Sequence, residues 1–193
     1  MPSPRPPHPL RPTVLAAMRL EALALGGRVV RTGMGHRRAE HVATRLASTL
    51  APGTPVALVG ISGGLGANLV PGDVVVATAV RDPGGAEIEL SPAEASQMAE
   101  ELRRDGHRVH VGPIASATSI VHGERRAALA QTGALAVDME SAWVARSMAS
   151  QRLVVVRVVA DTAGNFVAGL VKGLFALRHV RSAIDRWHER VAG

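Results

Sequence analysis

Cysteine is absent from this 193-residue chain, which excludes a disulfide framework, a thiolate nucleophile and a zinc site built on thiolates. Tyrosine is also absent, and the two Trp and two Phe residues are too few for a platform on which single-stranded nucleic acid stacks its bases. Lys172 is the only lysine. The net charge of +6 therefore comes from arginine, and because a GC-rich genome produces this arginine and alanine bias unaided, we expect no nucleic-acid partner.

Long apolar runs are absent as well, since no uninterrupted apolar stretch reaches the roughly 18 residues that span a bilayer. The first twelve residues, MPSPRPPHPLRP, cannot bury enough apolar surface to offset the entropy lost on ordering, so we expect residues 1–12 to form a disordered tail. Arg19 and Glu21 interrupt the apolar segment that follows, which argues against a secretory signal. We expect a cytoplasmic protein that is neither secreted nor membrane-spanning.

The length and the 47% apolar content are sufficient for one well-buried domain, which we place at residues 13–193. Short runs rich in Val, Ile and Ala alternate with segments of helical period. This pattern predicts a single α/β domain with a central mixed, mostly parallel sheet flanked by helices. The predicted strands are 13–18, 29–32, 56–61, 73–80, 109–115, 134–139 and 153–160, and the predicted helices are 37–50, 93–104, 124–131, 142–150 and about 167–191.

The last predicted helix is basic and amphipathic. Apolar residues recur at helical spacing from Val167 to Val191, while Lys172 and four arginines occupy other faces. We expect it to pack on the sheet or at a subunit interface, with contact to a membrane surface as the alternative. Apolar helix faces on a short-looped α/β domain also favour a homo-oligomer.

Three segments far apart in the sequence each end an apolar run in glycine or polar residues. In open α/β sheets, ligands bind outside the carboxyl ends of the strands, so we expect these ends to form one crevice. Each segment also has a purely structural interpretation, because Gly63-Gly64 suits a tight turn, Asp161 a helix N-cap and Glu140 a helix start. The segments are residues 60–65, 137–141 and 156–161.

Four motifs follow one another in a fixed order along the chain: Thr32-Gly33-Met34-Gly35, then Gly63-Gly64-Leu65 with Pro71-Gly72-Asp73, then Asp138-Met139-Glu140, then Arg157 with Asp161. This set resembles the nucleoside phosphorylase superfamily, in particular its methylthioadenosine and S-adenosylhomocysteine nucleosidase branch. The resemblance runs from about Thr13 to the C-terminus. It implies an enzyme that cleaves the N-glycosidic bond of a small-molecule purine nucleoside, with neither a cofactor nor a metal.

The resemblance also implies a role for individual residues. Met139 lies against the ribose, and Glu140 accepts hydrogen bonds from its hydroxyls and stabilises the oxocarbenium-like sugar as the C–N bond opens. Asp161 matches the catalytic acid that donates a proton or a hydrogen bond toward N7 of the base. Arg157 matches a residue that positions the carboxylates, although a buried ion pair without a catalytic role is equally compatible.

Glu21 bears on the choice between hydrolysis and phosphorolysis. It stands where the nucleosidases keep the carboxylate that activates water, whereas the structural alternative is an exposed glutamate in a first helical turn. Phosphorolysis would need cations and free backbone N–H groups at a helix N-terminus. Gly33, Met34 and Gly35, followed by His36-Arg37-Arg38, would supply a phosphate or water site of this kind, so both nucleophiles stay open.

The segment expected to contact the base departs from the family pattern. Where nucleosidases place an aromatic residue against adenine, this chain has Ile120, so the stacking contribution of about 1 kcal/mol is lost. We assign Gly63, Gly64, Ile120 and Val121 to substrate binding alongside Met139 and Glu140.

The shortened loops, the Val-Asp-Met-Glu-Ser motif and the basic last helix look closest to the hopanoid-associated phosphorylase-like proteins. That resemblance implies an adenosine with a large apolar 5′ group, such as adenosylhopane, from which adenine is released. Methylthioadenosine-type or futalosine-type nucleosides are the alternative substrates. A nucleoside-binding protein without catalytic activity is the alternative from another functional class.

Overall fold

The computed structural model describes residues 12–161 and 166–192. Within these ranges the chain forms one eight-stranded sheet and six helices. The strands are β1 (Thr13–Ala16), β2 (Val30–Arg31), β3 (Pro55–Gly64), β4 (Val74–Arg81), β5 (Glu87–Glu89), β6 (Val109–Ser116), β7 (Ala136–Asp138) and β8 (Arg152–Asp161). The helices are α1 (Arg19–Leu25), α2 (His36–Ala47), α3 (Pro92–Arg104), α4 (Gly123–Gln131), α5 (Ser141–Ser147) and α6 (Phe166–Ala192). Of the predicted tail, residues 1–11 lie outside the described ranges.

The sheet has the order β2-β1-β3-β7-β6-β4-β5, and β8 pairs with both β3 and β4. Five of the eight strand pairings are parallel and three are antiparallel. The predicted α/β class with a mixed, mostly parallel sheet is therefore confirmed. Because β3, β8, β4, β6 and β7 are joined in a closed ring of pairings, the ends of these strands are held close together.

Helices cover the sheet on two sides, and alternate residues of each central strand point to opposite sides. Val14 and Val59 belong to a core that includes residues of α1, α3 and α6. Leu15 and Leu58 belong to a second core that includes residues of α2 and α5. The central strands are apolar on both faces for this reason, as the continuous Val-rich runs predicted.

Helix α6 packs on the sheet and on α3. Its residues Leu177, Val180, Ile184 and Trp187 are fully buried, and each such burial contributes roughly 1.5–3 kcal/mol. On its exposed side lie Val171 and Phe175, among other residues. Among the described residues, no helix is both long enough and apolar enough to cross a membrane.

Two elements, α1 and β5, were not predicted from the sequence. The first strand ends at Ala16 rather than residue 18, and α1, which was not predicted, begins at Arg19. The strand cannot continue because the Glu21 carboxylate accepts the Met18 backbone N–H at 2.7 Å and turns the chain into a helix. Strand β5 was also not predicted, and it pairs antiparallel with β4 through a turn in which Asp82 accepts the backbone N–H groups of Gly84 and Ala86.

Candidate active site

A cavity of about 380 Å³ lies where the segments following β1, β3, β7 and β8 meet. The sequence-predicted residues that line it are Glu21, Met34, Gly63, Ile120, Val121, Met139, Glu140 and Asp161. The other predicted residues, Gly33, Gly35, Gly64 and Arg157, stand directly behind this lining or next to it in the chain. Segments separated by up to 140 residues thus come together as the strand-end argument predicted.

Glu140 lies at the N-terminus of α5 and is only 7% exposed. Its Oε1 accepts the Gly35 backbone N–H at 2.8 Å, and its Oε2 accepts the Met139 N–H at 3.3 Å. Burial and the neighbouring Asp138 carboxylate raise the pKa of Glu140 to about 7, against the opposing effects of Arg157 and the Gly35 hydrogen bond. Near neutral pH this carboxyl group can therefore either keep or release its proton.

Glu21 lies in the first turn of α1 but is buried, with 2% exposure. Its Oε1 accepts the Ile61 backbone N–H at 2.8 Å, which ties α1 to the carboxyl-terminal half of β3. Burial raises the pKa of Glu21, although Ile61, Arg157 and Met18 act in the opposite direction. The alternative of an exposed glutamate in a helical turn is therefore wrong. A buried carboxylate of raised pKa facing a cavity is suited to accept a proton from water.

Arg157 is fully buried beneath the cavity floor, with 1% exposure. Its Nε donates to Asp138 Oδ2 at 2.7 Å and its Nη2 donates to Ser141 Oγ at 2.9 Å, while Nη1 has no partner among the described residues. Burial alone would lower the pKa of Arg157, but the carboxylates of Asp138, Glu140 and Glu21 raise it. The guanidinium therefore remains a fixed positive charge between the carboxylates of the site.

Asp138 anchors this arrangement, and the sequence analysis gave it no role of its own. It accepts hydrogen bonds from Ser116 Oγ at 2.6 Å, from the Ser141 side chain and backbone, and from the Glu140 N–H at 3.3 Å, in addition to Arg157. A carboxylate with so many donors is held in one orientation. Both acidic residues of the Asp-Met-Glu motif line the cavity, and the Asp138 carboxylate also fixes the surrounding side chains.

Gly60 leaves room for the charged groups of this site. A Cβ at this position would collide with Arg157 Nη1 and would lie 2.7 Å from Glu21 Oε1. Arg157 Nη1 and the Glu21 carboxylate therefore both lie close to the backbone of Gly60. The absence of a side chain at residue 60 is what allows them to do so.

Asp161 ends β8 and is paired with an arginine that the sequence analysis missed. Arg126 of α4 donates from Nη1 to Asp161 Oδ2 at 2.8 Å, and from Nη2 to the backbone oxygens of Gly64 at 2.6 Å and Asp161 at 2.8 Å. Both side chains are largely buried, with 14% and 16% exposure. Arg126 also lines the cavity. Its sequence context, Glu124-Arg125-Arg126, is typical of an exposed helix face and gave no signal of this role.

The glycine-containing loop before α2 is directed toward Glu140. The Gly35 N–H, which would belong to a phosphate cradle, donates to that carboxylate. Arg37 and Arg38 are exposed, and Arg38 packs its aliphatic stem near Gly33. No basic residue of this loop lines the cavity. This loop therefore presents no basic side chain to the cavity, and its Gly35 N–H is already engaged by Glu140.

The loop between β6 and α4 covers another side of the cavity. Ser119, Ile120, Val121 and His122 line it, with Val121 buried and Ile120 65% exposed at the rim. On the opposite side, Ser62 Oγ is buried and has no hydrogen-bond partner among the described residues. Within the same described part of the chain, no group of three or more His, Asp or Glu side chains is placed to hold a metal ion.

Comparison with solved structures identifies the fold. A 5′-methylthioadenosine/S-adenosylhomocysteine nucleosidase from Neisseria meningitidis in complex with methylthio-immucillin-A is 20% identical, with a TM-score of 0.77 over 90% of this chain and 97% of that one. A putative nucleosidase of the same kind from Borrelia burgdorferi, bound to adenine, is 16% identical, with a TM-score of 0.79 over 91% and 99%. A Helicobacter pylori MTAN mutant with 5′-methylthioadenosine in its active site is 21% identical, with a TM-score of 0.76 over 91% and 98%.

At these identities the structural likeness establishes the fold and leaves activity to be argued from the site. A search of the curated protein sequences found no significant match. The family model of the phosphorylase superfamily, however, matches residues 26–186, which is most of the chain and includes Glu140, Arg157 and Asp161. The chain therefore belongs to the phosphorylase superfamily.

Proposed function

We propose that this protein hydrolyses the N-glycosidic bond of a 5′-substituted purine nucleoside and releases adenine. The observation that carries the proposal is the pair of buried carboxyl groups, Glu21 and Glu140, on the wall of one cavity with the Arg157 guanidinium beneath them. In glycoside cleavage, carboxylates stabilise an oxocarbenium-like sugar and activate the attacking water. Glu140 is placed to stabilise the sugar cation, and Glu21 is placed to activate the water molecule.

Glu140 is the proposed ribose contact. As the C1′–N9 bond lengthens, positive charge develops on the sugar, and an ionised carboxylate in a water-poor cavity stabilises it strongly. Met139, on the same segment, lines the cavity and offers an apolar surface to the sugar ring. Asp138 and Arg157 act through Glu140 by fixing its backbone and its charge environment.

Glu21 is the proposed general base. Its carboxylate lines the cavity, so a water molecule in the cavity could donate a hydrogen bond to it. Attack of that water on C1′ transfers one water proton to Glu21. The electron pair of the C1′–N9 bond goes to the base, which takes up a proton from solvent after departure.

Water is favoured over phosphate by the charges around the cavity. A phosphate near C1′ would face the carboxylates of Glu21 and Glu140, and the Gly35 N–H that could bind it already donates to Glu140. The cations nearest the site, Arg126 and Arg157, are each engaged in an ion pair. The arrangement therefore supports hydrolysis rather than phosphorolysis.

The 5′ group is proposed to be large and apolar, as in adenosylhopane. Met18, Ile61 and Ile120 contribute apolar surface to the cavity, and Met34 and Ile120 are exposed at 55% and 65%. An apolar substituent leaving the cavity along these side chains would cover surface that is otherwise in contact with water. Shorter 5′ thioethers, such as that of methylthioadenosine, would fill only the inner part.

The experiment is to incubate the protein with 5′-methylthioadenosine and with adenosines that carry 5′-alkylthio chains of increasing length. Adenine release is followed with and without phosphate, and the sugar is analysed after reaction in ¹⁸O-labelled water. We expect phosphate-independent release with ¹⁸O at C1′, and a kcat/KM that rises with chain length. A sugar 1-phosphate would establish phosphorolysis instead, and ligand binding without release would indicate a nucleoside-binding protein.

A further inference from the structure

Exposed apolar side chains are concentrated around the cavity. Six of the eight large apolar side chains that are exposed in the described part of the chain belong to α1, to α6 or to the loops at the cavity. Single exposed apolar residues are normal on a protein surface, whereas a group of them beside a binding site marks a surface that contacts another molecule. The six are Leu20, Leu23, Met34, Ile120, Val171 and Phe175.

Three of these side chains belong to segments that line the cavity. Met34 and Ile120 are lining residues themselves, and 55% and 65% of their surface is exposed. Leu20, 53% exposed, stands in the chain between Met18 and Glu21, which both line the cavity. The mouth of the cavity is therefore bordered by apolar surface on several sides.

Val171 lies near the same mouth on α6. It stands between Gly169 and Gly173, the two glycines at which α6 approaches Ala160, and Ala160 lines the cavity. The Val171 side chain is 65% exposed, so it faces away from this contact. We call the following four residues the apolar rim: Leu20, Met34, Ile120 and Val171.

Basic residues stand next to the apolar rim in three of its segments. Their side chains are exposed, and none of them forms an ion pair with a carboxylate among the described residues. The positive charge at the mouth is therefore not neutralised within the described part of the chain. These rim cations are Arg19 on α1, Arg37 and Arg38 on α2, and Lys172 on α6.

The charges in the C-terminal half of α6 are arranged differently, about 20 Å along the helix from Val171. Arg186 pairs with Glu101 and with Asp105 at 2.7 Å each, and Arg190 pairs with Glu101 at 2.8 Å. That region carries paired charges, whereas the mouth carries unpaired cations. An anionic partner is therefore attracted to the mouth in preference to the far end of α6.

Apolar side chains bordered by unpaired cations complement the surface of an anionic bilayer. The apolar groups enter the boundary between head groups and acyl chains, and the cations bind the lipid phosphates. A nucleic acid would engage the cations but leave the apolar rim in water. A second copy of the chain would bring its own unpaired cations against these. The apolar stripe of α6 cannot serve as the contact instead, because residues such as Leu177 and Ile184 are buried in the core.

We propose that the apolar rim and its cations dock this protein on an anionic phospholipid bilayer with the cavity mouth facing the lipid. A nucleoside anchored in the bilayer by an apolar 5′ group would then enter the cavity directly from the membrane. Its apolar group would pass from the acyl chains to the rim side chains without crossing water. Docking is independent of the proposed function, whereas this route of entry rests on it.

The test measures vesicle binding without nucleoside, so that it does not depend on turnover. Co-sedimentation of the full chain is compared between phosphatidylcholine vesicles and vesicles that also contain about 30% phosphatidylglycerol. We expect at least about tenfold tighter binding to the anionic vesicles, and loss of this preference as NaCl is raised from about 0.05 to 0.5 M. Equal affinity for the two kinds of vesicle, or no binding at about 1 mM anionic lipid, would overturn the proposal.

Leu20→Gln/Val171→Gln tests the apolar part of the surface. The double variant should bind anionic vesicles about tenfold or more weakly, while its turnover of water-soluble 5′-methylthioadenosine stays unchanged. Val111→Gln is the matched control, since Val111 is exposed near the start of β6, away from the mouth, and it should bind like the wild type. Vesicle binding that is indifferent to the rim substitutions would reflect attraction of the cations to any polyanion and would refute membrane docking.

Arg37→Gln/Arg38→Gln tests the cationic part. Removing two charges near the bilayer should weaken binding to anionic vesicles by about thirtyfold. Arg103→Gln/Arg104→Gln removes the same net charge at the C-terminal end of α3 and should have a much smaller effect. Equal losses in the two double variants would mean that total charge rather than the mouth directs binding, and would contradict the proposed orientation.

Sedimentation velocity of the free protein tests the alternative occupant. A dimer that dissociates in Leu20→Gln/Val171→Gln would show that a second copy covers the rim, against the proposal. Circular dichroism checks that each variant is folded, and the lipid and salt dependence of the wild type stands even if a variant is not. Vesicle binding without adenine release from any nucleoside would contradict the proposed function alone. Adenine release from soluble nucleosides without vesicle binding would contradict this inference alone.

Discussion

The two buried glutamates of the site differ in what holds them. Glu21 is bonded to two backbone N–H groups, those of Met18 and Ile61, whereas Glu140 is bonded to those of Gly35 and Met139 and repelled by Asp138. Glu140 is thus the carboxyl group whose protonation near neutral pH should control activity. This expectation can be tested directly.

The first prediction concerns the pH dependence of activity. Glu140 must be ionised to stabilise the sugar cation, and its pKa in the free protein is about 7, so kcat/KM should fall about tenfold per pH unit below that value. Glu140→Gln should lower kcat by roughly a hundredfold to a thousandfold and abolish this acidic limb. The measurement is kcat/KM for adenine release from pH 5 to 9. An unchanged acidic limb in the variant would assign it to another group, with Glu21 as the first candidate.

The second prediction concerns Gly60. An added methyl group must displace Arg157 Nη1 or the Glu21 carboxylate, and a displacement of about 1 Å at a reacting group costs roughly a hundredfold in rate. Gly60→Ala should therefore lower kcat/KM by that order and lower stability by about 1–3 kcal/mol. Gly84→Ala, in an exposed turn where the nearest atom to a Cβ is 3.3 Å away, is the control and should change neither. Wild-type activity in Gly60→Ala would show that catalysis does not depend on the exact positions of Glu21 and Arg157.

Sequence reasoning predicted the position, at one cavity, of those residues that follow a recognisable strand end. Glu140 and Asp161 follow apolar runs that could be located by composition, and the topology of an open α/β sheet places such ends together. Arg126 could not be found in this way. It stands on α4, none of whose residues is fully buried. The pattern of this helix therefore resembles any solvated helix, and the partner of Arg126 lies 35 positions away. Only the folded chain brings the two together.

At the scale of elements, α6 and the carboxyl-terminal end of β8 approach each other closely at two glycines. A Cβ on Gly169 would collide with the Ala160 carbonyl oxygen, whereas a Cβ on Gly173 would meet Ile61 Cγ2 and Ala160 Cβ at 3.3 Å. Ala160 directly precedes Asp161. The packing of the helix therefore bears on the position of a site residue.

The packing of α6 against β8 predicts different outcomes for alanine at these two glycines. Gly169→Ala should push α6 away from β8, lower the melting temperature by at least about 4 °C and reduce activity by displacing Asp161. Gly173→Ala should be close to neutral, because a small shift of side chains accommodates the methyl group while alanine favours the helix by about 1 kcal/mol. Thermal melts and kcat/KM of both variants test the pair. Equal effects in the two would argue against the close approach at Gly169.

The elements that the sequence did not predict are those whose formation depends on tertiary contacts. Helix α1 is only seven residues long, too short to be stable alone, and it is fixed by the hydrogen bonds of Glu21. Strand β5 is three residues long and exists because β4 offers it a free edge. Four elements were predicted to within a few residues: the long apolar strands β3 and β8 and the periodic helices α3 and α6. Their apolar content and their periodicity can be recognised directly in the sequence.

At the scale of the whole molecule, the carboxyl groups whose pKa is shifted fall into two sets with opposite effects on stability. Burial raises the pKa of Glu21 and of Glu140, the latter to about 7, so the folded protein binds these protons more tightly than the unfolded chain. Despite some burial, which acts in the other direction, arginine partners and hydrogen bonds lower the pKa values of Asp82, Glu101 and Asp105. The first set contributes stability at low pH, and the second contributes it at high pH.

The sign of each contribution fixes the shape of the stability curve. The stability from Glu21 and Glu140 is fully present below the unfolded pKa of about 4.5. The contribution of Glu140 is lost as the pH rises through about 7, and that of Glu21 is lost as the pH rises through its raised pKa. The stability from Asp82, Glu101 and Asp105 is present above their unfolded values and is lost as the pH falls through their lowered ones. Glu21 and Glu140 should therefore lower the melting temperature as the pH rises from 5 to 8. His107 and His188, whose pKa values are lowered by burial, act in the opposite direction below their unfolded value of about 6.5.

Glu140→Gln isolates the contribution of the site to this decline. The amide cannot ionise, so the variant should melt at a higher temperature than the wild type at pH 8, by at least about 2 °C, and the difference should shrink toward pH 5, where the wild-type carboxyl group is protonated. The same substitution that raises stability lowers activity, because the buried charge that catalysis requires is the one that folding disfavours. A variant less stable than the wild type at pH 8 would mean that the Gly35 hydrogen bond outweighs the cost of burying the carboxylate.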